Sequence, residues 1–136
     1  VDAGVQNTVM EVSSIGLAEK RTKGTDFSVA IYTNLSQDHL DFHGSMENYR
    51  DAKGIFFREM KPVNARDQKN YAVINLDDEQ ADYYIGLSEA KVVTYGIDKD
   101  ADYKASSIRF TESGTHFTLK YKEKTYDVQT PLIGMF

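Results

Sequence analysis

The sequence predicts an α/β fold: a mostly parallel sheet flanked by helices, followed by a small antiparallel β-meander. Three observations predict it. Short apolar runs rich in β-branched residues alternate with helix-length amphipathic stretches up to about residue 98. Beyond that point the apolar period falls to two, with brief polar turns between the runs. The composition is that of a globular chain, 40% hydrophobic and 27% charged with two Pro over 136 residues, which is long enough to bury a core.

Each element has a local cause. Thr8-Val9-Met10-Glu11-Val12 reads as a buried strand, and Ser13-Ser14 as a loop or helix cap. Asp26-Phe27-Ser28 leads into a second strand, Val29-Ala30-Ile31-Tyr32. Gly44 or Ser45 caps a helix over residues 46–60, whose apolar stripe is Met46, Tyr49, Ile55, Phe56 and Met60 and whose weak point is Gly54. Residues 61–70 are polar, contain Pro62 and read as a loop. Tyr71-Ala72-Val73-Ile74-Asn75-Leu76 is a third strand, and Asp77-Asp78-Glu79 are read as the N-cap and first-turn acids of a helix reaching about Ser88. Lys91-Val92-Val93-Thr94-Tyr95 is a fourth strand, closed by Gly96. Residues 107–111, 116–121 and 125–129 alternate, with turns at Ser113-Gly114 and Lys122-Glu123-Lys124. The division is therefore an α/β portion, residues 1–98, and an antiparallel portion, residues 99–136.

Charge and residue usage exclude several classes. The net charge is −5 without a block of like charge, which argues against a nucleic-acid surface. No apolar run is long enough to span a bilayer and no signal peptide is evident, so no membrane partner is expected. The absence of Cys rules out disulfides and thiolate zinc sites and fits a reducing, cytoplasmic setting. Both ends read as interior to a longer polypeptide: Val1-Asp2-Ala3-Gly4-Val5 resembles a helix tail entering a strand, and the chain stops at Gly134-Met135-Phe136 without a terminating signal.

The chemistry-bearing residues collect where the second strand hands over to the helix, the end at which open α/β sheets bind ligands. Asp38-His39, Asp41 and His43 place four donors in six positions, a pattern open to a metal site or to a polar loop with Asp38 as a cap. Glu11 stands in an apolar run, where a buried carboxylate must be paired or metal-bound, unless it lies solvated at the strand end. Lys53 sits on the helix that follows, and Asn75-Leu76-Asp77-Asp78 at another strand end suits a nucleotide's polar edge or a plain helix cap. No Gly-rich phosphate loop occurs, so a nucleotide-using enzyme would hold its phosphates with residues outside this sequence.

Met10-Glu11-Val12-Ser13-Ser14, the run from Thr33 to Gly44, Tyr49 to Lys53, and Asn75-Leu76-Asp77-Asp78 occur in the order of one family. Together they resemble the central, P-loop NTPase-like domain of the Mur ligases, most of all the tripeptide-synthetase (MurE) type, and Gly134-Met135-Phe136 resembles a further motif of that family. The resemblance implies an ATP-dependent ligase of peptidoglycan synthesis, which adds diaminopimelate or lysine to UDP-N-acetylmuramoyl-L-alanyl-D-glutamate through an acyl phosphate. It implies Mg²⁺ held by Glu11, His39 and Lys53, with Lys53 carbamoylated and with Lys53 and His39 as catalytic residues. Ser13 and Arg21 match contacts of the UDP-muramoyl dipeptide, and Asn75 and Asp78 match the motif near ATP. Ile15 and Glu19 depart from the family's usual His and Gln. The P-loop and UDP-binding domain would precede Val1 and the amino-acid-binding domain would follow Phe136, so these flanking domains are the expected partners and the piece alone is expected to be inactive. Two other classes fit the same residues: a metal-dependent hydrolase built on the 38–43 cluster, and a non-catalytic α/β binding module.

Overall fold

The computed structural model describes residues 4–63 and 68–134. The opening Val1-Asp2-Ala3, residues 64–67 of the expected loop, and Met135-Phe136 of the final motif lie outside the described residues.

The elements run α1 (Ser14–Ala18), β1 (Val29–Tyr32), α2 (Leu40–His43), α3 (Met46–Glu59), β2 (Tyr71–Asn75), α4 (Ala81–Leu87), β3 (Lys91–Gly96), β4 (Tyr103–Thr111), β5 (Gly114–Tyr121) and β6 (Lys124–Thr130). The strands form a single six-stranded sheet in the order β1-β2-β3-β4-β5-β6. β1, β2 and β3 pair in parallel, with Val29 opposite Tyr71 and Tyr71 opposite Lys91. The expected meander is present but does not stand apart. β4 joins β3 in parallel through Tyr95↔Tyr103 and Gly96↔Lys104, and β5 and β6 then return antiparallel.

The seam between the two portions is fastened by side chains. Asp77 accepts from the amides of Ile97 (2.5 Å), Asp98 (3.1 Å) and Lys99 (2.7 Å). Asp102 accepts from the Thr94 amide and hydroxyl, and Lys104 donates to the carbonyls of Asp98 and Lys99. Burial alone would raise the Asp77 pKa, but the amide bonds from Ile97, Lys99 and Asp98 outweigh it and hold the carboxyl below its ordinary value. Gly114, at φ 130°, has no room for a Cβ, which would fall 1.9 Å from the Thr130 carbonyl oxygen.

The core lies on one face of the parallel strands. Ala30, Tyr32, Ala72 and Ile74 pack with Phe57 and Met60 of the α3 segment and with Ala81 and Tyr84 of α4. Period-2 geometry sends Val29 and Ile31 to the other face, where they are 45% and 59% exposed. The outer edge of β1 has no strand partner among the described residues.

Helix α3 matches its expected span, and Ser45 caps it by accepting from the Asn48 amide. Gly54, expected to weaken the helix, is buried against α4: a Cβ there would lie 2.8 Å from Leu87 Cδ1 and 3.3 Å from the Tyr83 ring. The residue trades helix propensity for close helix approach.

Two expectations are corrected. Residues 8–12 are not a strand: residues 4–13 carry neither helix nor strand, and Val9 is 95% exposed. An apolar β-branched run becomes a strand only where a neighbour completes its ladder, and this segment does not lie along β1. The acids at 77–79 do not cap α4 either. The helix starts later, with Gln80 at its N-cap and no side-chain cap bond, because Asp77 bonds residues 97–99 and Asp78 divides itself between Tyr32, Leu35 and the Gln80 amide.

Candidate functional site

Tyr49 is the centre of the site, on the inward face of α3 and 5% exposed. Lys53, one turn further on, sets Nζ 5.3 Å from the Tyr49 ring centroid. The His39 ring stands edge-on at 6.1 Å and the His43 ring stacks at 5.3 Å. His39 reaches this position through a left-handed backbone, φ 51°, at the N-cap of α2. That conformation is uncommon outside glycine and turns the chain sharply between β1 and α2. Asp38 accepts from the His39 amide at 2.8 Å and lies 3.4 Å from His39 Nε2.

The electrostatics draw Glu11 into the same group. Burial pushes the Lys53 ammonium below its ordinary pKa, while the negative charges of Glu11 and then Asp38 act in the opposite direction. Burial likewise raises the Tyr49 pKa, reinforced by Asp38 and Glu11. A half-buried ammonium thus feels the charge of two carboxylates, on the same Tyr49 ring that His39 meets edge-on. Among the described residues, no group of three or more His, Asp or Glu is gathered tightly enough to hold a metal ion. The arrangement fits a divalent cation on one chemical condition. Lys53 supplies a positive charge that both Glu11 and Asp38 favour; as a carbamate it would become an oxygen donor, and the cluster would then require an external cation.

The dense 38–43 run divides. His39 and Asp38 stay together, whereas His43 Nε2 is bonded to Ser14 Oγ at 2.9 Å and its carbonyl accepts from Asn48 Nδ2. Asp41 is exposed in the first turn of α2. Ser14 is buried at the start of α1, so His43 ties that helix to Tyr49 and α3. The sequence reading gave Tyr49 and Ser14 structural parts only, in the apolar stripe and the loop or cap, and took His43 as one donor of the 38–43 cluster rather than as a partner of Ser14. The four-residue spacing from Tyr49 to Lys53 was the available signal for Tyr49, since it places both on one helix face; the Ser14–His43 contact has no local signal.

The remaining candidates lie around this centre. Ser13 Oγ caps α1 by accepting from the Gly16 amide at 3.0 Å. Arg21 is exposed and paired with Glu19. Asn75 donates from Nδ2 to the Thr33 carbonyl at 2.8 Å and accepts from the Asp77 amide at 3.1 Å. Asp78 accepts from Tyr32 Oη (2.7 Å), the Leu35 amide (3.0 Å) and the Gln80 amide (2.8 Å). Leu35, Arg50, Asp78, Glu79 and Gln80 line an open cleft of about 460 Å³ at the carboxyl end of the strands.

Comparison with known proteins bears on the family and the fold. The chain matches the Mur ligase middle domain over residues 1–136. A UDP-N-acetylmuramoyl-L-alanyl-D-glutamate–2,6-diaminopimelate ligase of Bacillus cereus is 45% identical over all 136 residues, which make up 28% of that protein. The corresponding L-lysine ligase of Staphylococcus haemolyticus is 42% identical over the same span, 27% of its length. The chain therefore spans little more than a quarter of the curated relatives it matches. A solved diaminopimelate ligase aligns with TM-score 0.77 and 35% identity over 90% of this chain and 25% of its own. MurF of Acinetobacter baumannii shares the fold at TM-score 0.67, with 19% identity over 80% of this chain and 22% of its own. With the match running from end to end and a relative of 45% identity along it, the chain belongs to the Mur ligase middle domain family.

Proposed function

We propose that this chain works as the middle domain of a cytoplasmic, ATP-dependent ligase of cell-wall synthesis. That ligase joins diaminopimelate or L-lysine to the D-glutamyl carboxylate of UDP-N-acetylmuramoyl-L-alanyl-D-glutamate. The observation that supports the reading best is the gathering of Glu11, Asp38, His39 and Lys53 around Tyr49, from segments far apart in the sequence. The amino acid is left as a pair, because relatives of both kinds match at nearly equal identity.

In this reading Glu11, His39 and carbamoylated Lys53 hold Mg²⁺, Ser13 and Arg21 face the UDP-muramoyl dipeptide, and Asn75 and Asp78 lie toward ATP. A bound Mg²⁺ supplies the positive charge that lets two anions, the substrate carboxylate and the γ-phosphate, approach in line. The chain's own part is to prepare the ligands. Burial lowers the Lys53 pKa, which raises the fraction of neutral amine. The ammonium first gives one proton to solvent; the neutral amine then adds to CO₂, a nitrogen–carbon bond forming as one carbon–oxygen π bond opens, and a second proton leaves the nitrogen, so that with two protons released a cation has become an anion. Glu11 and Asp38 oppose that negative charge, so the carbamate is stable only with a divalent cation beside it. The Tyr49 ring packs along Lys53 and both histidines and limits the positions they take. Transfer then gives an acyl phosphate, the amino group of the incoming amino acid attacks its carbon, and phosphate leaves. The flanking domains supply the phosphate-binding loop, the UDP pocket and the amino-acid pocket.

The test is Lys53→Ala in the complete enzyme that carries this domain, with amide formation and the ¹³C carbamate signal under ¹³CO₂ as independent readouts. Loss of both is expected. Turnover unchanged in Lys53→Ala, or a carbamate signal that persists, refutes the role.

A further inference from the structure

We propose that Asp78, assisted by Asn75, is a positioning residue: it latches the loop after β1 and thereby sets where His39 stands. The inference deepens the proposed function and rests on its assignment of His39 to the metal.

The loop after β1 has to deliver Asp38 and His39 to the rim of Tyr49. Most of it is exposed: Thr33, Asn34, Ser36, Gln37 and Asp38 all face solvent, and Leu35 is half-buried against the core. A segment of this kind does not hold its own position. It is held from the neighbouring strand at two points. Asn75 Nδ2, at the last residue of β2, donates to the Thr33 carbonyl at 2.8 Å. Asp78 Oδ2 accepts from the Leu35 amide at 3.0 Å. The same carboxylate anchors itself to the body through its other oxygen, which accepts from Tyr32 Oη at 2.7 Å and from the Gln80 amide at 2.8 Å.

The anchor is firm. Tyr32 is 3% exposed and its ring packs against Phe57 and Tyr84 in the core. Burial, and then the hydrogen bond to Asp78, push its phenol pKa far above the ordinary value, so it stays a neutral donor at every working pH. Tyr95 Oη donates to the Tyr32 carbonyl at 3.2 Å, which ties β3 to the same corner. Asn75 is fixed in turn, because its Oδ1 accepts from the Asp77 amide.

The hydrogen-bond inventory separates this role from direct contact with a nucleotide. A carboxylate offers about four acceptor positions. Protein donors fill three on Asp78, and two of those donors are backbone amides that cannot turn away. What the side chain has left for a ligand is small, and what it holds in place is the stretch ending in a left-handed His39. Loss of the latch displaces the imidazole without removing a metal donor.

The experiment is Asp78→Asn in the complete enzyme, which keeps the shape and puts an amide donor where an acceptor is needed. The half-saturating Mg²⁺ concentration is expected to rise by roughly 10- to 100-fold, as for other partners that orient metal ligands. kcat is expected to fall by about 100-fold, the scale of an ångström-size misplacement. The ATP affinity measured by equilibrium titration without turnover stays unchanged, and amide exchange speeds up over residues 33–39. Weakened ATP affinity with Mg²⁺ dependence and exchange intact overturns the proposal in favour of a direct nucleotide contact, and no change in any readout overturns it outright. If Asp78→Asn does not fold, Tyr32→Phe, which keeps the ring and removes one donor, decides by the same criteria with a smaller shift. His39→Ala separates the two levels. If it leaves the Mg²⁺ requirement of the wild type untouched, the metal assignment has failed. If it raises that requirement while Asp78→Asn does not, only the latch has failed.

Discussion

Replacing Gly54 by Ala sets two effects of similar size against each other, and the structure decides between them. In an open helix interior the change is worth about 1 kcal/mol in favour of Ala. Here the new methyl would meet Leu87 Cδ1 at 2.8 Å and the Tyr83 ring and hydroxyl at 3.3 Å. Leu87 can turn aside, at the expense of its packing under α3. Tyr83 cannot: its hydroxyl donates to Asp51 at 2.7 Å, Arg50 lies 4.1 Å over its ring, and Tyr84 meets it edge-on at 5.2 Å. Overpacking of this kind costs about 1–3 kcal/mol, and the anchored ring places it near the middle of that range. The expected net effect is destabilisation by about 1 kcal/mol, a fall in Tm of about 3–5 °C for a chain of this size. Thermal unfolding followed by circular dichroism measures it. A Tm that rises would show that α3 and α4 are not in contact at Gly54, and that the depth at which Lys53 is held is set by something else.

Further outcomes concern charge. Asp77 contributes stability that is present above the ordinary carboxylate pKa and lost as pH falls through its lowered folded value; Asp77→Ala should flatten that acid limb. At neutral pH the same change is expected to cost about 1–3 kcal/mol, since its bonds to three amides are charge-assisted but water-accessible. Equilibrium denaturation at a series of pH values checks both, and an unchanged acid limb refutes the account. Lys53 gives a slope of the same sign in a more alkaline window, although here it is the charged form that folding disfavours. Its folded pKa is lowered, so the unfolded chain binds the extra proton and stability rises with pH between the folded value and 10.5. In CO₂-free buffer Lys53→Met should abolish this rise and stabilise the chain at neutral pH. Parallel curves for the two proteins would show that Lys53 is not desolvated.

Sequence made the parallel part legible because each of its strands is a compact apolar run, and the meander legible because its alternation is regular. It did not show that the two form one sheet. That depends on Asp77 reaching the amides of residues 97–99 and Asp102 reaching Thr94, contacts without a periodic signature. The strand expected at residues 8–12 failed for a related reason: β-propensity describes a surface that fits a neighbour, and no neighbour lies there among the described residues. Family motifs named Glu11, His39 and Lys53. Their common surroundings became visible only through Tyr49, which no motif argument required. The acids after β2 show a limit of local reading. Asp-Asp-Glu before an amphipathic run is a sound capping signal, yet tertiary donors took Asp77 and two of the three bonds of Asp78, which keeps one to the Gln80 amide.

Among the described residues, Val29 and Ile31 lie on a largely exposed sheet surface beside a β1 margin without a strand partner, and this bears on how the polypeptide would behave in a test tube. Two copies can stack those aliphatic faces or extend one another's pleat. Mutual repulsion from a net charge of −5 opposes such contacts. Acidifying the buffer toward neutrality of charge, or adding salt to shorten the range of that repulsion, should therefore turn a clear solution turbid.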